Sequence, residues 1–483
     1  MASDSCKSLH SLTERLAIAI GQGELDHALR AIHDFVERII TEPLCTSQVY
    51  GSRKLDELCQ KIGRANLEAI GAPPGDAADP PPESRLVVYI VTRLQKSGGH
   101  SRVIEDFIAA QPEARHLILA TDLGGKSDTD YLLNGVGKHS KVLLEGAGAG
   151  NFQQRLTWLQ SRLLKTRPHK VYLFNHHQDS VAVAAVQPAM KIDGSFYHHG
   201  DHQLCLGVHL SHLQHIDLHP MGYHTCREVL GIDNTYIPLT ADDKGDRPSD
   251  WPFMPAGRLT TCTAARSNKV EVPYFVSYLE LVPELLKATG GKHIHIGRLT
   301  PWALFSIRRG LKRRGIAAER FIYTPWVPSV WKALHEFRVD LYVASFPYGG
   351  GLTLIEVMGA GIPLALHRHI FSKVVSGIGL AYRGAFSWRF PEDLLAYCGS
   401  VTVSDLVQAG RAGRRQYETF HRPERLQAIL NGTAGEQAVP DDASDDFVVE
   451  ADEFASWMER QLSLGRVLAR AAYRGFRRLR SWW

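Results

Sequence analysis

The sequence predicts an α/β protein of two doubly wound domains facing a cleft, with a helical extension in front. Three observations predict it. Residues 85–241 and 255–400 each alternate apolar, β-branched runs with helix-length segments. The runs are apolar throughout, as expected of strands covered on both faces of a parallel sheet. Two Pro/Gly/Asp-rich stretches, 71–84 and 242–258, punctuate the chain where the domains begin.

At 483 residues the chain exceeds one ordinary core, so two or three domains are expected. A net charge of +4 makes no general demand for nucleic acid. No apolar run reaches membrane-spanning length, and the N-terminus lacks a secretory apolar stretch. The seven cysteines are scattered without a CxxC, which fits reduced thiols and a cytoplasmic setting.

The elements follow in order. Residues 1–70 form a helical N-terminal extension, because apolar positions between 12 and 40 recur at three and four. Residues 71–84 are a linker. In the first domain, RLVVYIVTRL (85–94), HLILATDL (116–123) and KVYLFNHH (170–177) read as strands. In the second, LTTCTA, KHIHIG, RFIYTPW, DLYVASFP and IPLALH do the same, with helices between them. Residues 401–483 are read as C-terminal helices carrying an acidic segment (441–453) and a basic tail. The tail, 466–483, holds six arginines, no acid and two terminal tryptophans. That composition suits an anionic membrane surface, or docking on the chain's own acidic segment.

The most specific signal is DLYVASFPYGGGLTLIEVMGAGIPLALH, residues 340–367. A strand runs into Tyr348, then Gly349, Gly350 and Gly351, then a helix opening with Leu352 and Thr353. Glycines allow close backbone approach and positive φ. The helix start offers N–H groups and a positive dipole end to phosphate. Glu356 lies one turn further on, where an acceptor-only carboxylate suits a ribose diol. A glycine-rich strand-to-helix turn without a ligand is the simpler alternative.

This stretch resembles the donor-nucleotide motif of GT-B glycosyltransferases. Glu356 matches the second glutamate of the motif in their retaining families, and Gly361-Ile362-Pro363 matches its closing turn. Tyr348 stands where the first glutamate belongs. In that respect the stretch is more similar to inverting, O-GlcNAc-transferase-like bacterial enzymes that modify protein, which also carry a helical N-terminal region. The resemblance implies two Rossmann-like domains, a nucleotide-diphosphate sugar donor, no cofactor and no metal. It implies a glycan, lipid-linked or protein acceptor and no nucleic acid. It further implies that Gly98 and Gly99, after the first strand, face the donor across the cleft. Arg266 and Lys269, after the strand LTTCTA, stand where such enzymes hold the diphosphate, and their division of labour is open. His100 is placed at the cleft mouth, either as a base or as an N-cap-region residue.

Residues 176–224 contain ten of the 23 histidines. His199, Asp201 and His202 fit part of the His-x-His-x-Asp-His zinc motif of metallo-β-lactamase-like hydrolases, but Tyr197 occupies the first ligand position. The reading preferred is a base for an inverting transfer, because histidine titrates near neutrality. His202 ranks first, then Asp201, then His199 and His100. These residues binding acceptor, or capping a helix, is the alternative. His176, His177, His209, His212, His215, His219 and His224 read as packing or surface residues. The Asp128-Thr129-Asp130 triplet reads as a helix N-cap.

The expected function is a glycosyltransferase in cell-envelope glycan synthesis, cytoplasmic and peripheral at the membrane. A nucleotide-sugar 2-epimerase on the same fold, or a non-catalytic scaffold, would explain the same motifs.

Overall fold

The computed structural model describes residues 9–41, 49–71, 85–95, 99–128, 142–272, 274–370, 372, 375, 377–434 and 438–440, with isolated helical positions at 464, 468 and 472. The basic tail apart from positions 468 and 472, the acidic segment, Gly98, and Thr129-Asp130 of the Asp triplet lie outside the described residues.

The first sheet has seven strands: β1 (Leu86–Val91), β2 (Arg115–Ala120), β3 (Val142–Gly146), β4 (Lys170–Phe174), β5 (Gly194–Tyr197), β6 (Gln214–Asp217) and β7 (Asn234–Tyr236). Their spatial order is β3-β2-β1-β4-β5-β6-β7, and every pairing is parallel. The second sheet holds β8 (Leu259–Ala264), β9 (Gly290–Ile296), β10 (Phe321–Thr324), β11 (Leu341–Val343), β12 (Leu364–His367) and β13 (Phe386–Trp388). Its order, β10-β9-β8-β11-β12-β13, repeats the same doubly wound plan, again all parallel. In each sheet the order reverses beside the first strand, which opens a crevice at the carboxyl ends.

The fully apolar runs became central strands, with β1 buried at five of its six positions. Strands β3, β5, β6, β7 and β13 were not anticipated, because they are three to five residues long and carry polar side chains. The residues GSFY form β5, and His215 belongs to β6.

The N-terminal extension is three helices, Leu9–Gly21, Leu25–Ile40 and Arg53–Ala69. Leu25, Ala28, Leu29, Ile32 and Val36 form the buried stripe of the second. The extension shares one core with Val88, Ile90, Leu117 and Leu119 of the first sheet. Two close contacts lock it in place. A Cβ on Gly63 would stand 1.9 Å from the Ala184 carbonyl, so glycine lets Arg53–Ala69 lie directly on the helix Ser180–Ala185. Buried Asp56 accepts hydrogen bonds from the backbone N–H of Gly207 (2.7 Å) and His209 (2.9 Å).

The chain also ties its two sheets together at the far end. The helix Val403–Phe420 packs on Gly351–Gly359 of the second domain. Tyr417 Oη donates to the Ala241 carbonyl at 2.8 Å, and His421 Nδ1 lies 2.7 Å from the Leu239 carbonyl. The helix Pro423–Leu430 then packs against Gly99–Ala109 of the first domain. Among the described residues, no helix is long and apolar enough to cross a membrane.

Asp56→Ala leaves two buried N–H groups without acceptors. It should lower unfolding free energy by about 2 kcal/mol, read from chemical denaturation with the slope unchanged.

Candidate active site

A cavity of about 850 Å³ lies in the interdomain crevice, beyond the carboxyl ends of β1, β4, β5, β6, β7, β8, β11 and β12. Its first-domain wall comes from the loops after β1, β4, β5, β6 and β7, through residues such as Gly99, His177, His199 and Leu239. Its second-domain wall comes from the segments after β8, β11 and β12. Ile40 and Thr41, at the end of an N-terminal helix, complete it.

On the second-domain side, Tyr348, Gly349, Gly350, Gly351 and Leu352 line the cavity. The reason for the glycines is different from the one anticipated. None of the three takes positive φ. What they supply is closeness. A Cβ on Gly350 would stand 3.2 Å from Lys269 Nζ, and one on Gly351 would stand 3.1 Å from His219 Nε2 across the cleft. Gly351 opens the helix Gly351–Gly359, and its N-cap, Gly350, brings no side-chain hydrogen bond. The first-turn N–H groups are therefore left to an outside acceptor. Thr353 follows in that turn but is not among the lining residues.

Lys269 lines the cavity and donates from Nζ to the Gly349 carbonyl at 2.6 Å. Burial, with Arg266 adding to it, pushes its ammonium down to about 8. Arg266 itself is exposed, and the cavity is lined instead by Ser267, Asn268 and Lys269. Glu356 is not a lining residue. Its carboxylate lies 3.9 Å from Lys244 Nζ, and burial raises its pKa while Lys244 opposes the rise.

On the first-domain side, the loop after β5 brings His199, Asp201 and His202 to the wall. Asp201 is buried at 1% exposure. One carboxylate oxygen makes a short hydrogen bond with His219 Nδ1, and the other lies 3.7 Å from His202 Nδ1. Burial alone would raise this carboxyl, but His219 and His202 hold it well below the usual carboxylate range. Burial alone would lower His219, and Asp201 outweighs it and raises that imidazole.

His219 is the residue that sequence reading missed. Its sequence context reads as packing or surface, yet it pairs with Asp201 and points its other nitrogen at Gly351. Nothing in its local pattern marks it, because its partner lies 18 residues earlier on another loop.

His100 is corrected in the other direction. It is buried, with its ring against His199 (centroids 4.5 Å apart), His176 (5.0 Å) and Phe174 (6.0 Å), and does not line the cavity. Burial, with His199 and His176 adding, pushes it well below ordinary histidine. His199 is pushed down to about 3 by burial and by His176 and His202. Neither is poised to accept a proton near neutrality. Among the described residues, His199, Asp201 and His202 are also not a set whose ligand atoms converge on a metal.

No protein-family model matches the chain, and no curated protein matches it in sequence. Solved structures do. HepE from Anabaena, in complex with UDP, is 12% identical, with 72% of this chain and 98% of that one covered, at a TM-score of 0.54. A glycosyltransferase from Rickettsia africae is 11% identical over 72% and 97%, also at 0.54. The lipopolysaccharide outer core galactosyltransferase WaaB is 14% identical over 72% and 100%, at 0.51. Two parallel doubly wound sheets facing one cleft, matched along nearly the whole length of these proteins, give this chain the GT-B glycosyltransferase fold.

Proposed function

We propose that the protein transfers a sugar from a nucleotide-diphosphate donor to an acceptor hydroxyl, with inversion. One observation carries the reading. A glycine-walled helix N-terminus and Lys269 on one domain face the Asp201–His219–His202 group on the other, across a single cavity. The similar Anabaena protein holds UDP, and in a second structure UDP and glucose, which supports a nucleotide-sugar donor on this fold.

The roles follow from position. The diphosphate rests on the first-turn N–H groups of Gly351–Gly359, with Lys269 as the fixed cation. His219, held by Asp201 and directed at Gly351, faces the departing diphosphate and offsets the charge that grows there. His202 shares the same carboxylate, is 37% exposed and lines the cavity. It takes the acceptor proton as the hydroxyl oxygen bonds to the anomeric carbon and the bond to the diphosphate breaks. Asp201 orients both imidazoles. Glu356 is the partner for the ribose diol, and Lys244 must release it for that contact. Tyr348 and Gly99 flank the donor, and closure of the cavity limits hydrolysis.

A panel of UDP-, GDP-, ADP- and TDP-sugars should contain one that raises the melting temperature of the wild type. Gly351→Val should abolish that shift, because the added side chain would enter the space facing His219. No stabilisation by any donor would sink the proposal, and epimer formation without acceptor would replace it.

Donor affinity should fall as pH rises through about 8, where free Lys269 loses its proton. The fall should approach about tenfold per pH unit and vanish in Lys269→Met, measured by calorimetry.

His202→Gln should lower kcat by about 10²-fold or more while leaving donor affinity within about twofold. Equal losses in both would remove His202 from the chemistry.

A further inference from the structure

Behind the Asp201 loop, deeper in the first domain, lies a second group of polar side chains that the proposed transfer does not use. His198 follows β5, His215 and Asp217 lie two apart on β6, and Cys226 sits in the helical segment Thr225–Val229 after it. Residues two apart on a strand project to the same face. The strand therefore presents an imidazole and a carboxylate together, and the neighbouring chain adds a second imidazole and a thiol. All four are buried, at 0%, 4%, 0% and 1% exposure in that order.

Their ligand atoms converge. His198 Nδ1 lies 3.0 Å from Asp217 Oδ1, and Cys226 Sγ lies 3.5 Å from His198 Nδ1 and 3.6 Å from Asp217 Oδ1. His215 Nε2 lies 3.3 Å from Asp217 Oδ2. One ligand atom from each residue lies within 4.8 Å of all the others. Tetrahedral zinc holds sulfur at about 2.3 Å and nitrogen or oxygen at about 2.0 Å, which sets its ligands about 3.3–3.6 Å apart. The Cys226, His198 and Asp217 atoms stand 3.0–3.6 Å apart, close to one face of such a tetrahedron, and a His215 ligand atom lies within 4.8 Å of each of them.

Two further observations favour a cation at the centre. His215 is buried with its Nε2 3.3 Å from Asp217 Oδ2, so a second imidazole faces the same carboxylate. The outer side of the carboxylate is already fixed, because Asn234 Nδ2 donates to Asp217 Oδ2 at 2.7 Å and to the Tyr223 carbonyl at 2.9 Å. Outer-shell anchoring of this kind orients a ligating carboxylate and leaves its other oxygen facing inward. One thiolate and one carboxylate also neutralise a divalent ion, as a dry interior requires.

We infer that His198, His215, Asp217 and Cys226 form a closed structural site for a tetrahedral divalent metal, zinc by its ligand set. This differs from the sequence expectation of no metal, and uses none of the residues of the partial zinc motif. With four protein ligands it has no open position for substrate, so it is structural. It would pin the ends of β5 and β6 together, and with them the loops that carry His199, Asp201, His202 and His219. The inference does not rest on the proposed transfer.

The test uses the full-length protein, purified without chelator. Elemental analysis should find about one zinc per chain, retained through dialysis. X-ray absorption at the zinc edge should show one sulfur and three nitrogen or oxygen neighbours. Removing the metal with a strong chelator should lower the melting temperature by several degrees, and added Zn2+ should restore it. Stripped protein titrated with Co2+ should develop the visible bands of a tetrahedral site and a sulfur-to-metal band, both lost in Cys226→Ser. If that variant does not fold, the zinc-edge measurement on wild type still decides. Protein that arrives metal-free and gains neither metal nor stability from Zn2+ or Co2+ would overturn the site. So would bound zinc with no sulfur neighbour.

Discussion

A parallel sheet delivers all of its strand ends to one edge, and this constraint organises the molecule. Both sheets are wholly parallel, so the loops after the strands collect at one side of each domain. Turning those two sides toward each other lets the segments after eight strands line one crevice. The cavity, the glycine-walled helix start and the histidine loops all follow from that arrangement. The ties behind it keep the two halves facing. Tyr417 and His421 bond to Ala241 and Leu239, and the last helix packs on the first helix of the first domain.

Within the crevice, the two walls differ in electrical character. The second-domain wall offers backbone N–H groups and the Lys269 ammonium, which suit an anion, while its Glu271 carboxylate is engaged by Thr300. The first-domain wall is built around a single buried carboxylate, Asp201, between two imidazoles. A buried carboxylate is stable only with such partners. The same need explains why His219, from a separate loop, is drawn to it. Burial and neighbouring imidazoles push His100 and His199 down, and for His199 they outweigh the pull of Asp201. The environment therefore sorts chemically identical side chains into roles.

The first domain is thicker than a doubly wound sheet alone. Three N-terminal helices complete its core, with Gly63 and Asp56 as contact points. Asp56 holds the backbone at Gly207 and His209, a few residues beyond the His199–His202 loop. The helices thereby support that loop from behind, and they also contribute Ile40 and Thr41 to the cavity wall. The cluster around Asp217 backs the same loop from below.

The sequence by itself determined the fold class and the glycine-rich motif. Those features are local. Apolar runs such as LVVYIV specify buried parallel strands, and Tyr348 to Leu352 are adjacent in sequence because one turn makes the wall. The loop with His199, Asp201 and His202 was legible for the same reason. Tertiary structure decided what depends on long-range meeting. It paired Asp201 with His219, removed His100 from the cavity, left Arg266 exposed, and set Lys244 against Glu356. It also gathered His198, His215, Asp217 and Cys226 from separate elements. Side-chain type and spacing encode the strand or turn a residue occupies. Burial and partnership come only when strands distant in sequence lie side by side, and those two quantities set which histidine is charged, which is neutral and which can bind a metal.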